Sequence, residues 1–360
     1  MKIGIYTYFY GANYGAQAHS YALYQTLTEM GHNCEFVSYY PKSRFYVHKK
    51  SVRSLLGYDR SIFTFRSLKT ILTYGWHKGL HNNYNFSARV NSGNEIDALD
   101  NNLVIFGSDE VFTVHHLFCD KVSFGVGVNA TPKITYAPSA GETDVATVLD
   151  DDIKESLGAM LFLSARDKNT AELIKNNCQR EVSLVLDPTL IYDFTAIAEN
   201  LPYERYILIY AFRELDEYKE HIKEYAKEKG LPIVSIARSR RWADKSYSAA
   251  SVPQWLGAFS RAALVVTDSF HGTIFSIKSQ CEFINTGFVH NTNKLNNLRM
   301  DMGVERPNYN GETSIEQHIS KYPINFAEIN EIIAQKKADS LEYLIKAIKA
   351  ASQKAQEGIS

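Results

Sequence analysis

The segment Val265-Val266-Thr267-Asp268-Ser269-Phe270-His271-Gly272-Thr273 sets an imidazole, a glycine and several hydroxyls where an apolar run stops. A buried strand ending there, with a helix beginning, directs free N–H groups and a positive dipole end toward an anion such as phosphate or carboxylate. His271 beside a helix N-terminus tends to stay neutral near pH 7, which suits proton transfer. Ser269 and Thr273 supply hydroxyls, and Gly272 would allow a ligand close to the backbone. The same pattern also fits a capping box around a structural histidine, and residue types alone do not separate the two readings.

A second segment, Ile105-Phe106-Gly107-Ser108-Asp109-Glu110-Val111-Phe112, repeats this logic in the first half of the chain. Asp109 could orient a sugar hydroxyl or take its proton, with Ser108 and Glu110 beside it; a plain helix N-cap fits the same residues. The first loop, Gly11-Ala12-Asn13-Tyr14-Gly15-Ala16-Gln17, is neither GxGxxG nor a P-loop, although Asn13, Tyr14 and Gly15 would permit tight contact with a ligand. Arginines matter for an anionic substrate because the planar guanidinium grips carboxylate or phosphate with two N–H groups. Arg238, Arg240 and Arg241 follow one expected strand and Arg166 another, and each also reads as a solvated surface residue. No metal is expected. HExxH is missing, His115 and His116 near Cys119 lack a second cluster, and Asp150-Asp151-Asp152 reads as the acidic first turn of a helix.

Strands and helices must position these groups. Ile3–Phe9, Glu35–Tyr40, Leu103–Phe106, Lys133–Ala137 and Leu161–Ser164 read as strands, with a helix from the first loop to Met30 stopped by Gly31. This is the opening of a doubly wound α/β sheet. Asp187-Pro188-Thr189-Leu190 and the residues to Pro202 read as a crossing between domains. A second α/β unit follows, with strands at Tyr206–Tyr210, Pro232–Ala237 and Ala263–Thr267. Its helices are expected at Glu214–Lys229, Pro253–Ala262 and from Thr273 to Ser279. The stretch from Phe326 to about Ala355 carries one apolar helical stripe and reads as a packing helix. The expected domains are 1–195 with an insertion at 41–92, then 196–325, then the C-terminal helix in 326–360.

A chain of 360 residues suits two ordinary domains. Lys plus Arg number 39 against 40 Asp plus Glu, a net charge of -1 that argues against a nucleic-acid partner. Four scattered cysteines with no CxxC pair, and no apolar run near the ~18 residues of a membrane span, lead to an expected cytoplasmic protein. Residues 41–92 depart from the overall balance, with ten Lys or Arg against the single acid Asp59 and nine interleaved aromatics. Aromatics stack on sugar faces and the charge favours a diphosphate or an anionic lipid surface, although a packed, solvated insertion fits as well.

These segments together resemble the polysaccharide pyruvyl transferase family. The matching stretches are Asn13-Tyr14-Gly15-Ala16, Phe106-Gly107-Ser108-Asp109-Glu110-Val111-Phe112, which is similar to the family's GSDQVW, and Ile134-Thr135-Tyr136-Ala137-Pro138-Ser139-Ala140-Gly141. Leu163-Ser164-Ala165-Arg166-Asp167, Leu186-Asp187-Pro188-Thr189-Leu190 and Thr267–Thr273 follow in family order. The resemblance implies two Rossmann-like domains facing across a cleft, similar to GT-B glycosyltransferases. It further implies phosphoenolpyruvate as co-substrate without a separate cofactor, and ketal formation on two hydroxyls of a sugar in cell-surface polysaccharide biosynthesis. In this reading His271 and Asp109 are catalytic, and Asn13, Tyr14, Gly15, Ser108 and Glu110 hold the acceptor. Some family members carry Arg where this chain has Ser269, so donor binding is expected from Ser269, Gly272, Thr273, Arg166 and Arg238. The basic block adds the expectation of a lipid-linked acceptor and peripheral contact with the inner face of the membrane. A GT-B glycosyltransferase using a nucleotide sugar and a non-catalytic carbohydrate-binding protein remain open alternatives.

Overall fold

Apolar runs without alternation, such as Ile3 to Tyr6 and Leu103 to Phe106, suit strands covered on both faces by helices. The computed structural model places them so. It describes residues 1–9, 13–40, 84–114, 120–287 and 292–357. Most of the basic block, with Lys49, Lys50 and Arg53, lies outside the described residues, as do Gly11, Ala12, His115, His116 and Cys119. The chain divides into two compact units, Met1–Tyr192 with Lys336–Ser360, and Asp193–Gln335.

In the first unit β1 (Lys2–Tyr6) is followed by α1 (Tyr14–Glu29), β2 (Asn33–Phe36), α2 (Gly93–Asp97), β3 (Leu103–Phe106) and β4 (Lys133–Thr135). All ladders are parallel, in the order β2-β1-β3-β4. The chain moves from β1 to β2 on one side and returns to β3 on the other, so a switch point lies between β1 and β3. Asn13 caps α1, its Oδ1 accepting from the N–H groups of Gly15 and Ala16 at 2.9 and 3.3 Å. Gly31, at φ 86°, takes the left-handed turn that ends the helix. Most of α1 is buried, including the polar Gln17, His19 and Ser20.

After β4 come α3 (Asp151–Gly158), β5 (Ser164–Ala165), α4 (Lys168–Cys178), β6 (Ser183–Leu184) and α5 (Pro188–Ile191). Asp151 and Asp152 stand in the first turn of α3, as their spacing suggests. The strand expected at Leu161–Ser164 is shifted: Phe162 bridges to Ile134, and the regular pairing is Ser164–Ala165 against β6. The expected crossing at Asp187 instead begins with α5, which has Pro188 at its first turn and packs against α1.

The second unit holds β7 (Tyr206–Tyr210), α6 (Lys219–Lys229), β8 (Ile233–Ile236), β9 (Lys245–Tyr247), α7 (Val252–Gly257), β10 (Ala262–Thr267), α8 (Phe270–Lys278) and β11 (Phe283–Asn285). Its sheet is also parallel, in the order β11-β10-β7-β8-β9, with the switch point between β7 and β10. The helix expected from Glu214 starts five residues later, at Lys219. Asp268 accepts from the N–H groups of Phe212 and Arg213, and Arg240 donates to the carbonyls of Ala211 and Arg213. These side chains hold the backbone after β7 in a loop. β9 and β11 are short strands not anticipated from the residue pattern.

Beyond β11 lie α9 (Thr292–Asp301), α10 (Ile315–Lys321) and α11 (Phe326–Glu357). The final helix is not a separate body: residues through Gln335 belong to the second unit and those from Lys336 to the first. In the first unit the Tyr343 hydroxyl donates to the Thr135 carbonyl at 2.8 Å, and Ser340 Oγ accepts from the Leu186 N–H at 2.9 Å. Cys34 and Cys281 are buried free thiols, pushed up by burial to about 11 and about 12, where they are inert as nucleophiles.

Gly257 closes α7 so near the preceding loop that an added Cβ would lie 2.0 Å from the Glu199 carbonyl oxygen. Gly→Ala at a helical site ordinarily stabilises by about 1 kcal/mol. Here the sign reverses: Gly257→Ala is expected to destabilise by roughly 2 kcal/mol or more through overpacking, measured by denaturant unfolding.

Candidate functional site

At the first switch point the chain leaves β3 through Gly107, whose φ is 115° and whose absent Cβ would meet the Tyr136 carbonyl oxygen at 2.2 Å. Only glycine fits there. Ser108 follows, fully buried, its carbonyl accepting from the Thr7 hydroxyl just beyond β1 at 2.9 Å. Asp109 then adopts a positive φ of 72°, a conformation that costs a non-glycine residue of order 1 kcal/mol or more. It is held there by the N–H groups of Val111 and Ser139, both donating to its carbonyl at 2.8 Å.

Three other elements converge on this turn. Arg166, directly after β5, directs Nη1 to Asp187 Oδ2 at 2.8 Å and to Asp109 Oδ1 at 3.3 Å. Burial alone would lower the guanidinium, but Asp187 and Asp109 hold it above its ordinary value, so it is firmly charged. Asp187, at the start of α5, also accepts from the Thr189 N–H and hydroxyl at 3.0 and 2.6 Å. His19, from α1, lies between the two residues of the turn, with Nδ1 2.7 Å from Ser108 Oγ and Nε2 3.4 Å from Asp109 Oδ2. Side-chain exposure separates the carboxylates: 1% for Asp187 and 17% for Asp109. Asp187 is a structural counter-ion, whereas Asp109 can reach a ligand.

The second unit builds its site at its own switch point. Ser269 caps α8, Oγ accepting from the Gly272 N–H at 3.0 Å, and its own N–H donates to Thr267 Oγ1 at 3.1 Å. His271 stands in the first turn of α8, largely buried and edge-on to Phe270. Asp268 anchors the loop after β7, and Arg240, itself paired with Glu214 at 3.0 Å, braces the same loop. Arg238 is half exposed on the rim after β8, 3.6 Å from Glu214.

Two expected donor-binding residues make packing contacts and internal hydrogen bonds. Gly272 is glycine because a Cβ would fall 2.2 Å from Thr267 Oγ1 and 2.9 Å from Tyr210. Thr273 is fully buried, its hydroxyl donating to the Ser269 carbonyl at 3.0 Å and accepting from Asn285 Nδ2 at 2.8 Å. Arg166 is likewise taken up by carboxylates of its own unit.

The polysaccharide pyruvyl transferase family model matches residues 13–287. The chain belongs to this family. No curated protein sequence matches it. Among solved structures, the glycotransferase of kitacinnamycin is similar at 10% identity and a TM-score of 0.51, covering 99% of this chain and 98% of that one. An alpha-glucosyltransferase in complex with UDP and a 13-mer DNA containing a HMU base is similar at 10% identity and a TM-score of 0.50, covering 97% and 99%. At such identities the likeness shows the fold alone, an α/β fold of the GT-B glycosyltransferase class.

Within this family member the structure brings Ser108, Asp109 and Arg166 together in the first unit, and Ser269 and His271 together in the second. Asn13 is exposed as a helix cap, Tyr14 and Gly15 are buried in α1, and Glu110 is half-buried beside Gly141. His19 went unrecognised because a lone histidine in an Ala- and Tyr-rich helix looks like core. Its spacing from Asn13 identifies it as a first-helix residue but says nothing of the β3 turn it meets. Among the described residues no group of three or more His, Cys, Asp or Glu could hold a metal, and no helix is long and apolar enough to cross a membrane.

Arg166→Met strands the buried Asp187 carboxylate and is expected to destabilise by about 3–5 kcal/mol. The double variant Arg166→Met/Asp187→Asn should recover much of that loss in chemical denaturation, whereas two independent residues would give additive losses.

Proposed function

We propose that this protein transfers the pyruvyl group of phosphoenolpyruvate to two hydroxyls of one sugar, forming a cyclic ketal during cell-surface polysaccharide biosynthesis. The observation that carries the reading is family membership over a span containing both Asp109 and His271. The second unit serves the donor and the first serves the acceptor. An anion at the first turn of α8 meets a helix N-terminus, with the half-exposed Arg238 as the donor-binding cation after β8.

In the reaction His271 delivers a proton to carbon 3 of the enol, leaving carbon 2 electron-poor. Asp109 accepts the proton of the first sugar hydroxyl as its oxygen bonds to carbon 2. Cleavage of the carbon 2–oxygen bond expels phosphate, which carries away the proton held by Asp109, and the second hydroxyl adds to carbon 2 and loses its proton to His271, closing the ketal and restoring both side chains. Phosphoenolpyruvate is a co-substrate, and no separate cofactor enters these steps. The acceptor is a lipid-linked sugar, presented where the basic block of residues 41–92 meets the anionic inner face of the membrane.

The test is phosphate release from phosphoenolpyruvate with a panel of sugar and lipid-diphosphate-sugar acceptors, beside thermal shifts with phosphoenolpyruvate, UDP, GDP and CDP. Phosphoenolpyruvate should raise the melting midpoint and the nucleotides should not; stabilisation by one nucleotide alone would instead make the protein a nucleotide-sugar glycosyltransferase. His271→Gln and Asp109→Asn should each lower kcat by roughly 10²–10⁴-fold with the fold retained. Retention of full turnover by either variant removes that residue from the mechanism.

A further inference from the structure

His19 presents both ring nitrogens to consecutive residues of one turn. The ring is fully buried, Nδ1 meets the Ser108 hydroxyl at 2.7 Å, and Nε2 faces Asp109 Oδ2 at 3.4 Å. An ionised carboxylate only accepts, so the nitrogen facing it must carry the proton. In the neutral ring this leaves Nδ1 bare, and the Ser108 hydroxyl donates to it. Ser108 thereby selects the tautomer whose N–H lies on the Asp109 side, an approach of 3.4 Å that falls outside hydrogen-bond geometry and acts on the carboxylate electrostatically.

Asp109 is the group this arrangement serves. Its backbone is held at positive φ, its other oxygen is 3.3 Å from Arg166 Nη1, and it is the more exposed of the two carboxylates on that guanidinium. The charged groups around the pair are Arg166 after β5, Asp187 at the start of α5, Asp167 beside Arg166, and Glu110 on the same loop. We infer that His19 is a positioning residue for Asp109, holding its carboxylate in place to take the proton of the sugar hydroxyl. The inference rests on the pyruvyl transfer reading. In the step served, the hydroxyl proton passes to a carboxylate oxygen while the hydroxyl oxygen's electron pair forms the bond to carbon 2.

Removing the positive end of an N–H dipole from beside a carboxylate raises its pKa. His19→Ala should therefore lower kcat at least about 10-fold, leave the KM for phosphoenolpyruvate within about twofold, and move the acid limb of the pH–rate profile up by about one unit. His19→Gln, which keeps an amide N–H at similar reach, should return the limb most of the way. An unmoved acid limb in His19→Ala, or a His19→Gln variant no better than His19→Ala, overturns the inference. Imidazole nitrogen NMR of wild type and Asp109→Asn gives a second measurement that needs no turnover. Nε2 should carry the proton in wild type, and its signal should shift in the variant; identical spectra overturn the pairing. A wild type inert toward phosphoenolpyruvate would end the pyruvyl transfer reading, while the NMR comparison would still decide whether His19 holds Asp109.

Discussion

A guanidinium taken out of water must find its charge and hydrogen bonds inside the protein, and the first unit is organised around one that does. Arg166 has 4% of its side chain exposed and reaches Asp187 and Asp109 from a single nitrogen. An uncompensated buried charge costs several kcal/mol, so the elements carrying these three residues cannot move independently. The loops after β3 and β5 and the start of α5 are thereby held at one point. That point also carries the strained backbone of Asp109, and the surrounding bonds maintain a conformation the residue would not adopt alone.

The place of this cluster follows from topology. In a parallel sheet all strand ends of one kind lie on one rim, and where the chain order reverses, adjacent loops diverge and leave room for a ligand. The first sheet reverses between β1 and β3, where Thr7 and Ser108 meet. The second reverses between β7 and β10, where Asp268 holds the backbone of Phe212 and Arg213. Each unit thus places its candidate residues at a switch point for the same geometric reason, with different chemistry: a carboxylate with its histidine and arginine in one, a histidine in the first turn of a helix in the other.

The second site shows how much of a conspicuous motif is scaffolding. Of Thr267 to Thr273, Thr267 and Gly272 pack against each other, Ser269 caps the helix, Thr273 braces Ser269, and Asp268 binds a neighbouring loop. His271 is left as the residue of the motif with proton-transfer chemistry. Seven residues with mostly polar side chains place one imidazole, which is the proportion expected where a buried turn must satisfy its own donors and acceptors first.

The sequence by itself determined the two α/β units, the central strands at Leu103–Phe106 and Tyr206–Tyr210, the limits of α1 and the long final helix, because continuous apolar runs, caps and periodic stripes are local signals. Its motifs in family order also identified the family, whose model spans residues 13–287. It misplaced the start of α6, because the bonds holding residues 211–214 come from Asp268 and Arg240, far along the chain. It did not reveal that Gly272 packs on Thr267, that Thr273 is buried or that Arg166 is paired with two carboxylates, because nothing local shows which neighbours fill a space or neutralise a charge. It passed over His19, 89 residues from the Ser108 it touches. Those assignments belong to the tertiary structure alone, since burial, charge pairing and hydrogen-bond satisfaction are properties of what the folded chain brings together.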